Sequence, residues 1–185
     1  MNNWYRFRLG GLNSHLILTL MKDFENFGDI NKKDLIELNY SKETIDSISS
    51  LLEIDLEDEK EKYKRNKVRI LSYNSDEYPR MLKEISNPPP FLYVKGNGKF
   101  SNKSLAVVGT RKISSYGKLA CDKIVSGFNN KGITIVSGLA LGVDTYAHEI
   151  ALKGNSSVIG VVAQGLDIIY PPSNARLYRE VEIGR

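Results

Sequence analysis

The sequence predicts an α/β protein, with a small helical domain in residues 1–66 followed by a parallel, doubly wound sheet in residues 67–185. Three observations lead to this prediction. Apolar residues recur at three- and four-residue spacing in the first part of the chain. From residue 105 onwards, short apolar runs alternate with amphipathic segments over short links, which is the pattern of βαβ units. A glycine-bearing segment follows each apolar run, at the strand ends where such sheets bind ligands.

Length and composition limit the class of protein. The chain has 185 residues, enough for one medium domain or for one domain with a small companion. Its single cysteine, Cys121, excludes an internal disulfide, and the sequence contains neither a long apolar span nor a signal peptide. We therefore expect a cytoplasmic protein. Two histidines and one cysteine are too few to predict a zinc site, and no other metal or cofactor is predicted.

The distribution of charge favours an anionic ligand for the second part of the chain. The formal net charge is +4, and all of the excess lies in residues 101–185, which hold 10 Lys and Arg against 6 Asp and Glu. A basic surplus of this kind suits a nucleotide or a nucleic acid. Simple solubility is the alternative explanation, and the charge alone does not decide between the two.

The first 66 residues contain several short helical patterns. Leu16–Phe24 carries one apolar face, and a second helix follows Ser41, which predicts an N-cap. The mixed-charge run Glu57–Lys67 predicts a solvated helix in preference to a nucleic-acid patch. Beyond it, Val68–Tyr73 and Phe91–Val94 predict strands, and a loop at Asn97–Ser104 leads into the sheet.

The elements of the sheet follow in order from Leu105. The run Leu105–Val108 predicts a strand that is buried on both faces, since it is apolar throughout. A helix is predicted from about Ser115 to Gly132, and its sheet-facing residues are expected to be Tyr116, Leu119, Ala120, Ile124, Val125 and Phe128. The remaining predicted elements are a strand at 133–138, a helix at 143–154, a strand at 157–165 and a helix that begins near Asn174.

Glycines at three strand ends predict a phosphate site. Gly109, Gly138 and Gly165 follow or end the three strands, and Gly142 lies just before the second helix. Glycine lets the backbone approach a phosphate closely, and free amides at helix N-termini donate to it. The alternative is that these glycines only allow tight turns. The nicotinamide fingerprint and the P-loop are both absent, since no G-x-G-x-x-G follows a strand and no Gly-Lys-Ser/Thr occurs.

Three motifs in this order resemble those of the DNA-processing protein A family, also called Smf. They are VVGTRKISSYG, IVSGLALGVDTYAHEIAL and GLDIIYPPSN, preceded by SYNSDEYPRMLKEISNPPPFLYVKG. The resemblance covers roughly residues 65–183. It implies a Rossmann-like domain preceded by a helical domain of sterile-alpha-motif type. The segment Ala163-Gln164-Gly165 departs from the family's usual pattern, in which a glycine stands two positions before the last.

The resemblance implies a function in handling single-stranded DNA. Members of the family protect incoming DNA during natural transformation, load the RecA recombinase onto it, and form homodimers at full length. The implied DNA- or phosphate-binding residues in this chain are Gly109, Thr110, Arg111, Lys112, Ser137, Gly138, Ala140 and Gly165. Arg111 is the principal candidate, because a guanidinium offers two parallel donors to phosphate oxygens. Its alternative role is a salt bridge that pins the loop.

Other interpretations of these residues remain open at this point. Ser137, His148 and Asp144 could form a hydrolase triad, although a carboxylate in the first turn of a helix favours a structural role. Tyr116 could stack on a base or belong to the core. Tyr170, with the residues that follow it, predicts a turn and a helix cap. We expect a binding protein and no enzyme.

Two further alternatives concern the class of the whole protein. One is a nucleotide-binding enzyme like the phosphoribohydrolases of related Rossmann fold, whose P-G-G-x-G-T loop is absent here. The other, duplex binding by a winged helix, would need a domain outside this chain. The family pattern continues beyond residue 185, so we expect a fragment or a short form. Half of a doubly wound sheet would expose an edge and a face, and would make the chain marginally stable or prone to associate.

Overall fold

The computed structural model describes residues 2–97, 100–101 and 103–183. The chain forms two compact units, residues 1–94 and residues 95–185, called here the helical unit and the α/β unit. The helical unit continues past residue 66, the domain boundary that the sequence predicts, because the following segment packs on the helices. Within the loop predicted at 97–104, Gly98, Lys99 and Asn102 lie outside the described residues, as do the last two residues of the chain.

Short amphipathic helices build the helical unit. They are α1 (Tyr5–Leu9), α2 (Ser14–Asp23), α3 (Lys32–Glu37), α4 (Lys42–Leu51) and α5 (Glu57–Arg65), with a 3₁₀ turn at Phe27–Asp29. Side chains at N-caps begin three of them: Asn13, Asn31 and Ser41 each accept a hydrogen bond from a backbone amide of the first turn. The cap predicted at Ser41 is thereby confirmed. The fully buried residues of this unit include Phe7, Ile17, Leu20, Leu35 and Ile48.

A two-stranded sheet joins this core. Its strands are β1 (Val68–Ser72) and β2 (Phe91–Lys95), and the short helix α6 (Arg80–Lys83) lies between them in the chain. Phe91 is buried in the same cluster as the helices, and the Tyr5 hydroxyl lies 3.0 Å from that of Tyr63 and 2.9 Å from that of Tyr93. These contacts explain why residues 67–94 belong to the helical unit.

The α/β unit contains the predicted parallel sheet. Its strands are β3 (Ser104–Ala106), β4 (Thr134–Ser137) and β5 (Val158–Gly160), in the order β3-β4-β5, and both pairings are parallel. The helices are α7 (Ser115–Ser126), α8 (Val143–Lys153) and α9 (Ala175–Ile183). The core between α7, α8 and the sheet contains Cys121, Val125, Ile135, Ala147, Ile150 and Ala151. The prediction of alternating strands and helices is confirmed.

The apolar residues of α7 are not all directed at the sheet, which corrects the sequence prediction. Cys121 and Val125 are buried, whereas Tyr116, Leu119 and Ile124 are exposed. Residues 121 and 125 lie one turn apart on one side of the helix, Tyr116 and Leu119 lie on the opposite side, and Ile124 lies at the margin between the two. The prediction failed because both sides of α7 carry apolar residues, so that spacing alone does not identify the inner one.

The first strand of the sheet also differs from its prediction. Leu105 and Val107 pack on the core, but Ala106 and Val108 are exposed, so the strand is not buried on both faces. Val161, beyond the end of β5, is exposed as well. A parallel sheet is normally covered on both faces. Here helices α7 and α8 pack on the face that carries Leu105, and apolar residues of the opposite face meet solvent.

No helix in the described ranges is long and apolar enough to cross a membrane.

The central strand should dominate the stability of the α/β unit. Ile135 is fully buried in β4, between its two neighbouring strands, so Ile135→Ala removes packed methyl groups and leaves a cavity. We expect the free energy of unfolding to fall by about 2 to 5 kcal/mol. Denaturant unfolding followed by circular dichroism measures the change. The matched control is Val161→Ala, which truncates an exposed residue next to the sheet; an equal loss in both variants would contradict this account of the core.

Candidate nucleic-acid interface

Three loops meet at the carboxyl edge of the parallel sheet. The first loop (residues 107–114) joins β3 to α7, the second loop (138–142) joins β4 to α8, and the third loop (161–171) follows β5. Parallel strands bring these ends to the same edge, where ligands of open α/β sheets bind. The predicted site residues lie in the first two loops and in the third, except Ser137, which is the last residue of β4.

The first and second loops are in direct contact at Gly142. This residue has a φ of +82°, and a Cβ there would collide with the backbone of Thr110 and Arg111. The amide of Val143 donates a hydrogen bond to the Thr110 carbonyl oxygen at 3.1 Å. Gly109 allows a second close approach. A Cβ added at this position would lie only 2.7 Å from a methyl group of Val143. Two glycines therefore allow the backbone around Arg111 to rest on the start of α8.

Buried and half-buried polar side chains hold the second loop through hydrogen bonds to its backbone. The Asp144 carboxylate accepts a hydrogen bond from the Gly138 amide at 3.0 Å, and the Thr145 hydroxyl donates to the Ala140 carbonyl at 2.6 Å. The Asn174 side-chain amide donates to the Leu139 carbonyl at 2.9 Å and to the Thr145 hydroxyl at 2.7 Å. The sequence indicates a helix cap at Asn174, but it does not reveal that this side chain reaches the second loop.

Leu139 adopts a conformation that needs this support. Its φ is +55°, in the left-handed region that is unfavourable for a leucine, and its side chain is buried. A Cβ at Gly160 would collide with that side chain, so the glycine at the end of β5 leaves room for it. The second loop is therefore a strained segment fixed by packing and by hydrogen bonds at the same time.

Ser137 and Gly138 use their polar groups inside the protein. The buried Ser137 hydroxyl donates to the Val107 carbonyl at 2.6 Å, and the Gly138 amide donates to Asp144. Neither group is directed to a ligand at the edge. The same contacts leave the hydrolase triad unassembled. The Ser137 hydroxyl donates to a backbone carbonyl, and neither ring nitrogen of His148 has a hydrogen-bond partner among the residues that the structure describes.

His148 is a buried, neutral histidine. It has no exposed surface, and burial lowers its pKa to about 4, although the Ser137 backbone and the Asp144 carboxylate act in the opposite direction. An imidazolium at this position would lack the water that stabilises its charge. His148 therefore packs beneath the second loop in its uncharged form.

The first loop carries the exposed cations. Arg111 and Lys112 are both exposed, and neither makes an ion pair or a side-chain hydrogen bond with any residue that the structure describes. The backbone amide of Lys112 donates to the Thr110 hydroxyl of the same loop at 3.1 Å. The amides of Gly109, Thr110 and Arg111 donate no hydrogen bond within the described ranges. The salt bridge considered as an alternative role for Arg111 is therefore not formed with any of the described residues.

The other predicted residues lie around this group. Ala140 is half-buried in the second loop, and Gly165 is exposed in the third. Tyr116 in the first turn of α7 is 81% exposed, so its assignment to the core is wrong and its ring is free to contact a ligand. A cluster of three or more His, Cys, Asp or Glu residues able to hold a metal ion does not occur in the part of the chain that the structure describes.

Fold and site together define a class of protein: a Rossmann-like α/β unit, joined to a helical unit, that exposes cations and free amides where its parallel strands end. Comparison with known sequences narrows this class. A family model described as DNA recombination-mediator protein A matches residues 69–184. The chain therefore belongs to the DNA processing protein A family, also called DprA or Smf.

Three curated relatives illustrate the similarity. DNA processing protein DprA from Streptococcus pneumoniae is 33% identical over 175 residues, which cover 94% of this chain and 61% of that protein. DprA from Bacillus subtilis is 36% identical over 117 residues, 62% of this chain and 39% of that protein. Protein Smf from Synechocystis is 36% identical over 126 residues, 65% of this chain and 32% of that protein. The chain thus spans between a third and three fifths of their length.

Two solved structures share the fold. The X-ray structure of DprA from Streptococcus pneumoniae aligns with a TM-score of 0.77 and 30% identity, covering 100% of this chain and 66% of that one. DNA processing protein A from Helicobacter pylori aligns with a TM-score of 0.55 and 30% identity, covering 63% of this chain and 52% of that one. The latter structure is described as giving insight into a unique single-stranded DNA binding mode of that protein.

Burial of neutral His148 should make stability depend on pH. The pKa is about 4 in the folded state and about 6.5 in an unfolded chain, so the unfolded state binds more protons between these values. The stability contributed by burying the neutral ring is complete above about pH 6.5 and decreases as the pH falls towards 4. Over this window we expect a loss of about 3 kcal/mol in the free energy of unfolding.

The measurement is denaturant unfolding at several pH values between 7 and 4. In His148→Gln the side chain cannot titrate, so the slope in this window should shrink. The control is His15→Gln, which replaces the other histidine, exposed on α2; the slope should shrink more in His148→Gln than in this control. An unchanged slope in His148→Gln would show that His148 does not cause the pH dependence.

Proposed function

We propose that this chain binds single-stranded DNA through the first loop, with Arg111 as the principal phosphate contact. The observation that carries the proposal is the exposed guanidinium, which has no ion-pair partner in the described ranges and lies beside three free backbone amides. A guanidinium binds a phosphate through two parallel hydrogen bonds, and nearby amides add further donors. Lys112 supplies a second charge to the same loop.

The arrangement suits a nucleic-acid backbone better than an isolated small ligand. Arg111 and Lys112 lie on an open edge, and two exposed tyrosines, Tyr116 and Tyr170, belong to segments that start or end at the same edge. Cations that track the backbone, together with aromatic rings that stack on bases, are the usual means of holding a single strand. The relationship to the Helicobacter pylori protein supports the same choice of ligand.

We further propose that the chain acts by binding and catalyses no reaction. The groups that could serve as nucleophile and base, Ser137 and His148, are buried, and the Ser137 hydroxyl donates to a backbone carbonyl. These facts favour a scaffold for DNA over a hydrolase. A nucleotide-cleaving enzyme of related fold would instead turn over mononucleotides, so incubation with nucleoside monophosphates followed by chromatography separates the two functions.

The wider role proposed here follows the family. In this proposal the bound strand is incoming DNA in natural transformation, which is protected and then passed to the RecA recombinase by a homodimer in the cytoplasm. The family model's description as a recombination mediator supports a step with a recombinase. The homodimer is proposed from the family resemblance alone. Because the chain spans only part of its relatives, these steps concern the complete protein.

Removing the cations of the first loop should weaken DNA binding. In Arg111→Ala/Lys112→Ala we expect the affinity for an oligothymidylate to fall about tenfold or more, since charge-assisted hydrogen bonds to phosphate are lost. The salt dependence should also become shallower, because fewer phosphates are neutralised and fewer counterions are released. Fluorescence anisotropy at several salt concentrations measures both effects.

The control must remove the same charge from another part of the unit. Lys131→Ala/Lys153→Ala does so, since both lysines are exposed and lie at the opposite edge, before β4 and at the end of α8. We expect this double variant to bind within about twofold of the unmodified chain. Equal losses in the two double variants would indicate non-specific attraction to net charge and would contradict a site at the first loop.

A further inference from the structure

The third loop exposes three consecutive apolar side chains. Ile168 is 54% exposed, Ile169 is 40% exposed and Tyr170 is 60% exposed. Single exposed apolar residues are common on protein surfaces, but a contiguous group usually marks a binding surface. These three residues, called here the apolar platform, are not used by the phosphate contact described above.

The backbone beneath the platform is well fixed. The Ile168 amide donates to the Gly165 carbonyl at 3.0 Å, and the Tyr178 hydroxyl donates to the Tyr170 carbonyl at 2.8 Å. Pro171, the next residue, is buried. The exposure of the platform is therefore a feature of an ordered loop.

The side chain of Tyr170 makes no polar or aromatic contact within the described part of the chain. Its hydroxyl makes no hydrogen bond there, and its ring contacts no other aromatic ring or cation. The sequence predicts a turn at this position, and the turn is held by the Tyr170 carbonyl and by the residues that follow. The ring is therefore available to contact a ligand.

The platform and Arg111 lie along the same edge of the sheet. Asn174, four residues after Tyr170, donates to the Leu139 carbonyl in the second loop, and Gly142 of that loop contacts the backbone of Arg111. The strands β3 and β5, which precede the first and third loops, are separated by β4 alone. Their ends are therefore about 10 Å apart, a distance that a short stretch of nucleic acid can span.

We propose that the apolar platform binds unpaired bases of the strand whose phosphates bind Arg111, with Tyr170 as the stacking residue. This inference rests on the proposed function. The occupant is a polyanion with exposed aromatic faces, because the cationic loop after β3 and the apolar surface after β5 belong to one edge of the sheet. In a duplex the bases are stacked on one another, so their faces are not available to Tyr170. The platform therefore favours single strands over duplexes.

The experiment compares strands that have bases with strands that lack them. The probes are an oligothymidylate and an abasic deoxyribose-phosphate strand of equal length, both measured by fluorescence competition with the full chain. Tyr170→Ala should weaken oligothymidylate binding about tenfold and leave the abasic strand within twofold. Tyr170→Phe retains the ring and should bind both strands as the unmodified chain does. Arg111→Ala should weaken both strands.

The matched control is Ile124→Ala, which removes an exposed apolar side chain from the second half of α7. It should leave both affinities within twofold. Circular dichroism establishes that each variant is folded, and sedimentation establishes its oligomeric state.

Each other outcome has a definite meaning. If Tyr170→Ala binds oligothymidylate normally while Arg111→Ala does not, the platform is refuted and the proposed function survives. If Tyr170→Ala weakens both strands equally, the substitution displaces the loop and stacking is refuted. A change in oligomeric state in Tyr170→Ala would show that the platform packs on a second copy of the chain. If the unmodified chain binds neither strand, the proposed function itself fails.

Discussion

The contact between the first and second loops determines the geometry of the candidate interface. Gly142 can rest on the backbone of Thr110 and Arg111 because it lacks a Cβ and because its φ of +82° is accessible to glycine. The hydrogen bond from the Val143 amide to the Thr110 carbonyl fastens the same point. A loop that carries two like charges would otherwise have little to hold it. This contact turns an exposed cationic segment into a fixed one, and fixed donors bind a ligand with a smaller loss of entropy.

The buried and the exposed polar groups around this contact have different roles. Asp144, Thr145 and Asn174 satisfy the backbone of the second loop from within, and they keep Leu139 in a conformation that it would not adopt alone. Unpaired polar groups are costly inside a protein, so these side chains are needed for folding. Arg111 and Lys112 are the opposite case. They are exposed and form no ion pair with the described residues, so their charges are available to an anion.

The exposed apolar residues indicate which kinds of molecule can bind to the surface of the α/β unit. Parallel sheets normally bury both faces, yet Ala106 in β3 and Val108 just after this strand are exposed to solvent. On α7 and in the third loop, Tyr116 and Tyr170 expose aromatic rings near the cationic loop. Exposed aliphatic surface on a sheet face suits a protein surface that covers it, whereas exposed aromatic rings at the edge that carries the cations suit nucleobases. The two kinds of exposed surface therefore have different uses.

The sequence by itself determined the alternation of strands and helices, the parallel sheet and the loop that carries Arg111. These features depend on local periodicity and on glycines next to strands, which are visible along the chain. Only the tertiary structure decided which side of α7 faces the core, since both sides are apolar. It also decided that the Ser137 hydroxyl and the Gly138 amide are used internally, and that Asn174 supports a loop 35 residues away. The partners of Ser137 and Asn174 are 30 and 35 residues away in the sequence, and hydrogen bonds between them exist only once the strands and loops have come together.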